Sequence, residues 1–98
     1  MKNYNWNIAK NVLLKIERNI SFEEILYYID NGFVIEMIDN PNTKKYPGQK
    51  MYVIDIEGYI HLVPFVESET EIFLKTIIPS RKATKKYLRG AKNENKIR

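Results

Sequence analysis

MYVIDIEGYIHLVPFV, residues 51–66, decides the fold. Two runs rich in β-branched and aromatic residues, MYVIDI (51–56) and YIHLVPFV (59–66), flank Glu57-Gly58. Strands of this kind joined by two residues predict a β-hairpin, with Gly58 supplying the permissive backbone of the turn. Strict alternation puts Tyr59, His61, Val63 and Phe65 on one face and Ile60, Leu62 and Val66 on the other. Either face has the composition of a core. Pro64 has no N–H to give a ladder, so it belongs at an edge or a bulge.

The pattern extends in both directions. FVIEMID (33–39) reads as a strand before the hairpin, separated from it by the polar loop NPNTKKYPGQK (40–50). ESET (67–70) reads as a charged turn and EIFLKTII (71–78) as a fourth strand. Short connections predict a mainly antiparallel, four-stranded sheet. Upstream, Asn7 can cap a helix over 8–18. Its residues Ile8, Ala9, Val12, Leu13 and Ile16 form one stripe at helical period. Ser21-Phe22-Glu23-Glu24 is a capping box for a second helix carrying Phe22, Ile25, Leu26 and Ile29, and Asn31-Gly32 stops it. Each helix therefore presents an apolar face that needs cover. Downstream, Pro79 ends the last strand and Ser80 can cap a third helix over about 81–90, closed by Gly90. The expected architecture is a single α+β domain over 1–90 with its helices largely on one face, followed by a basic polar tail, 91–98.

Composition narrows the function classes. The 98 residues have 44% hydrophobic and 29% charged content, as globular domains do. The absence of cysteine excludes a disulfide framework, a Cys-ligated zinc site and thiol catalysis, and fits a reducing cytoplasm. No apolar run reaches the roughly 18–20 residues that span a bilayer. The net charge of +4 is unevenly spread. Residues 80–98 hold eight basic residues against one acidic, a net of +7, whereas residues 1–79 hold eight basic and eleven acidic, a net of −3. A mildly acidic body with a basic end points to a polyanion or an acidic partner. A solvated tail that only aids solubility is the plainer alternative.

NYNWNIAK (3–10), NISFEEI (19–25) and PSRKATKKY (79–87) together resemble the BrnT-type toxins of bacterial type II toxin–antitoxin systems. Tyr4, Trp6 and Lys10 match that family's first element, Ser21, Phe22, Glu23 and Glu24 its second, and Arg81, Lys82, Ala83 and Thr84 its third. The order and spacing of the three agree along the chain. The sequence departs at Asn7, where the family has Asp, at Glu17-Arg18-Asn19, where it has Lys-His-Gly, and at Phe65-Val66-Glu67, where it ends a strand in an aromatic and an Arg. The resemblance implies a RelE-like fold, endoribonuclease activity that arrests growth, and a hetero-oligomer with a cognate antitoxin. Operator DNA would be contacted only through the antitoxin.

Metal-independent RNA cleavage needs a base for the ribose 2′-hydroxyl, cations for charge building on the phosphate, and an acid for the leaving oxygen. A helix start offers N–H groups to phosphate, and Arg81 and Lys82 add full charges beside it. Arg81 is the first catalytic candidate, with Lys82 beside it. Lys85, Lys86, Lys10 and Lys50 are candidates for binding substrate. Tyr87, like Tyr46, Tyr52 and Tyr59, could stack on splayed bases or serve the core. His61, the lone histidine, has a pKa range suited to acid–base work; a half-buried structural histidine is the competing reading. The sequence has no Gly-rich phosphate loop, HExxH, acidic calcium loop or nucleophile elbow, so neither cofactor nor metal is expected. Two alternatives to the toxin reading stand: a toxin-fold interaction protein without catalysis, and a basic nucleic-acid-binding module that does not cleave.

Overall fold

The computed structural model describes residues 2–89, and the tail 91–98 and the closing Gly90 lie outside the described residues. The hairpin forms where it is expected, from β3 (Lys50–Ile56) and β4 (Tyr59–Glu67), paired from Lys50↔Phe65 to Ile56↔Tyr59. Glu57 and Gly58 both take left-handed backbone, at φ 52° and 84°. That combination makes the turn whose twist matches two antiparallel strands. The Asp55 carboxylate accepts from the Gly58 N–H at 2.8 Å and closes it.

On the free side of β3 runs β2 (Val34–Asp39), antiparallel, with an irregularity in register between Val34 and Glu36. On the free side of β4 the expected 71–78 strand is split. β5 (Glu71–Leu74) pairs with Phe65–Glu67, and β6 (Ile78–Pro79) resumes against His61 and Leu62. Between them the Lys75 N–H donates to the Pro64 carbonyl at 2.8 Å, and Pro64 has no N–H to return. Pro64 thus sits inside the sheet, opposite a break in its neighbour. A further strand, β1 (Asn3–Trp6), runs parallel to β5 from Asn3↔Glu71 to Trp6↔Leu74. The sheet is therefore mixed, in the order β1-β5-β4-β3-β2 with β6 also on β4, and has six strands instead of four. The α+β class with three helical segments is as expected.

α1 (Ile8–Arg18) and α2 (Phe22–Asp30) begin at their anticipated caps. The Asn7 side chain accepts from the Lys10 N–H at 2.9 Å, and the Ser21 hydroxyl from the Glu24 N–H at 3.1 Å. α2 buries Phe22 and Ile25 against Tyr52, Ile54, Val63 and Phe65. Trp6 stacks on Phe22 with ring centroids 5.5 Å apart. α1 turns a different side inward. Leu14 joins the core, and buried Asn11 both accepts from the Phe22 N–H and donates to the Glu23 carboxylate, each at 2.8 Å. The stripe expected to need cover faces outward, with Ile8 78% and Ile16 76% exposed. A matched polar link to the start of α2 orients α1, and the apolar stripe is left to solvent.

α3 (Arg81–Thr84), continued by a π-helical turn over Lys85–Arg89, lies across the other face of the hairpin. Ser80 N–H donates to the Ile60 carbonyl at 2.9 Å, and buried Thr84 Oγ1 accepts from the Ile60 N–H at 2.8 Å. The helices therefore straddle the sheet, against the expectation of one face. The reason lies in the hairpin. Val53 and Ile60, which alternation places on the second face, are as fully buried as Ile54 and Val63 on the first. Two apolar faces need two covers. No helix among the described residues is long and apolar enough to cross a membrane.

Candidate active site

The corner between α1 and α2 meets the hairpin turn at one end of the sheet, and a cleft of about 370 Å³ opens between them. Arg18 and Asn19 come from the corner, Glu24 and Tyr28 from α2, Glu57 from the turn, and His61 from β4. Asn19, at φ 54°, and Glu57 are the non-glycine residues with positive φ among the described residues, and both line this cleft. Asn accepts that backbone readily; for Glu it is uncommon. Asn19 closes α1 and Glu57 makes the hairpin turn, so each conformation also serves its element.

His61 Nδ1 lies 3.1 Å from the Tyr59 carbonyl oxygen. A carbonyl can only accept, so Nδ1 carries the proton and Nε2 keeps its lone pair in the neutral ring. Burial lowers the pKa of His61 and the Arg18 charge lowers it further, while the Tyr59 contact acts the other way. The result is a base that is unprotonated at neutral pH. Arg18 is held by donating to the Ile77 carbonyl at 2.7 Å, and its guanidinium has further donors to offer an anion. The Tyr28 phenol is pushed up by burial, then by Glu57 and Glu24, and so keeps its proton. Glu24 accepts from the Ser21 hydroxyl at 3.3 Å. Base, cation and neutral phenol therefore share one cleft. Among the described residues no group of three or more His, Asp or Glu side chains converges to hold a metal ion.

Of the residues singled out from the sequence, His61 alone lines this cleft. Arg81 and Lys82 are exposed at the start of α3, across the sheet. The Ser80 hydroxyl there already accepts from the Ala83 N–H, at 3.0 Å. Lys85 is exposed, while Lys82, Lys86 and Tyr87 border a groove floored by Met51 and Leu62. Tyr87 donates to Glu36 at 3.1 Å; burial and that carboxylate push its phenol up. Lys50 lines a hollow at the opposite end of the hairpin, where Lys2 pairs with Glu67. Lys10 is partly buried in the first half of α1. The cationic set does not converge on His61. Arg18, Glu24, Tyr28 and Glu57 are not among the residues the sequence offers for chemistry; Glu24 reads there as a helix cap and Glu57 as a turn residue. No family model, curated protein or solved structure matches the chain.

Proposed function

We propose that this chain is the toxin of a type II toxin–antitoxin pair, a metal-independent cytoplasmic endoribonuclease neutralised by a cognate antitoxin. The observation that carries the catalytic part is the meeting of the His61 imidazole, Arg18 and Tyr28 in one cleft. In this reading the ribose 2′-oxygen attacks phosphorus as its proton passes to His61 Nε2. Arg18 offsets the charge gathering on the phosphate oxygens. The bond from phosphorus to the 5′-oxygen breaks, and that oxygen takes the Tyr28 proton. The products are a 2′,3′-cyclic phosphate and a 5′-hydroxyl. Arg81, Lys82, Lys85 and Lys86 supply positive potential that draws a polyanion to the protein. The resemblance to BrnT-type toxins supports the partner, and operator DNA is reached only through it.

The test is induced expression of the wild type, His61→Gln and Arg81→Ala at equal soluble levels, followed by analysis of total RNA and its new ends. Gln keeps a polar side chain of similar reach but cannot take a proton. His61→Gln should slow cleavage about 100-fold or more. Cleavage by the purified wild type should persist in a chelator and fall on acidification below the lowered pKa of His61, where the base becomes protonated. Intact RNA and unimpaired growth with the wild type would sink the proposal. Two readings then survive: the non-catalytic interaction protein, favoured by the exposed stripe on α1, and the basic nucleic-acid-binding module that does not cleave.

A further inference from the structure

α3 covers only part of the second face of the hairpin. Beside it a trough is left open, with Pro41, Met51 and Leu62 common to both its ends. The end toward Tyr46, Pro64 and Ile78 measures about 450 Å³ and the end against α3 about 220 Å³. The lining is mainly apolar, with Asn40, Gln49 and Thr76 at the larger end and Ser80 at the smaller. Lys75, Lys82 and Lys86 stand at the rim, and no Asp or Glu lines either end. Among the described residues none of these lysines has an ion-pair partner; Lys75 lies over the Phe73 ring at 5.5 Å and Lys86 over the Tyr87 ring at 5.2 Å. Three cations thus stand around a mainly apolar channel, with Glu36, held by Tyr87, beside its smaller end.

Nucleic-acid interfaces are polar and wet throughout, whereas most of this lining is Met, Leu, Ile and Pro. A protein segment with apolar side chains on one side and carboxylates along its flanks matches both features at once. We propose that the trough is the docking groove for such an acidic, amphipathic segment of a partner protein. Its apolar side chains fill the channel over Met51 and Leu62, and its Asp and Glu side chains meet Lys75, Lys82 and Lys86. Equating that partner with the neutralising antitoxin rests on the toxin reading; the chemistry of the groove does not. The groove faces away from the His61 cleft, so a segment seated there leaves the cleft uncovered.

The test pans a displayed random-peptide library on the full chain and measures the recovered peptides against purified protein. The expected peptides alternate apolar residues with Asp or Glu. Changing Lys75, Lys82 and Lys86 together to Glu should weaken them about tenfold, and peptides with Lys in place of their acidic residues should recover binding to that variant. These lysines are exposed, so the fold is retained. Ile78→Asp, on the exposed wall, should weaken the same peptides. Three outcomes overturn the proposal: neutral or basic peptides, binding indifferent to these changes but lost with Ile16→Asp on α1, or a dimer of this chain closed through the trough. Binding is read without RNA, so a chain that binds acidic peptides and cuts no RNA overturns the ribonuclease reading alone.

Discussion

α1 and α2 carry the same kind of stripe and use it in opposite ways. α2 sinks Phe22 and Ile25 completely into the core, while α1, of similar length, holds Ile8 and Ile16 out to solvent. Periodicity says that a helix has an apolar face; it does not say which face has a partner. The decision between them falls to Asn11. A buried amide that satisfies the Phe22 N–H and grips Glu23 ties α1 to the start of α2 in one orientation. Turning the stripe inward would break that link and leave polar groups unpaired, which is costly. The stripe therefore stays in contact with solvent.

The largest effect should come from the buried helix. Phe22→Ala removes a ring packed against Trp6 and the core, and should lower unfolding free energy by about 3–5 kcal/mol in chemical denaturation. A loss below about 1 kcal/mol would mean that α2 is not the helix that anchors the sheet. Asn11→Ala comes next, at about 1–3 kcal/mol, because it strips a partner from a buried N–H. It should also alter the acid limb of stability. The Asn11 hydrogen bond is the first cause of the lowered Glu23 pKa, so this stabilisation is present above the ordinary carboxylate range and lost as pH falls through the depressed value. In Asn11→Ala that part of the pH dependence should shrink. Ile16→Ser should change stability least, within about 0.5 kcal/mol. A loss as large as that of Phe22→Ala would show that the stripe is covered, and the contrast between the helices would vanish.

The hairpin, the three helix caps and the helical order were legible because each depends on residues near one another in sequence. β1 was not. Asn-Tyr-Asn-Trp is a short run, and the strand that receives it lies at residues 71–74, so nothing local announces the pairing. Pro64 was recognised as a breaker, but it interrupts its neighbour rather than its own strand. The side taken by α3 was open because both hairpin faces were apolar. In the cleft, His61 stood out as the lone histidine, whereas Arg18, Glu24 and Glu57 looked like a helix end, a cap and a turn. Each does serve that local purpose. Their meeting around His61 is a product of the corner between α1 and α2 closing on the hairpin.

The parallel pairing of β1 with β5 fixes an order of events. Asn3 finds its partner only in Glu71, so a chain made from its N-terminus holds β1 unpaired until about three quarters of it has been synthesised. α1, α2 and the hairpin can assemble before then from nearer contacts. Closing the longest loop last makes the sheet slow to complete, since distant contacts must overcome loop entropy before they stabilise anything. During that interval Tyr4 and Trp6 lack the strand that seats them, and the nascent molecule carries an aromatic segment still waiting for its place.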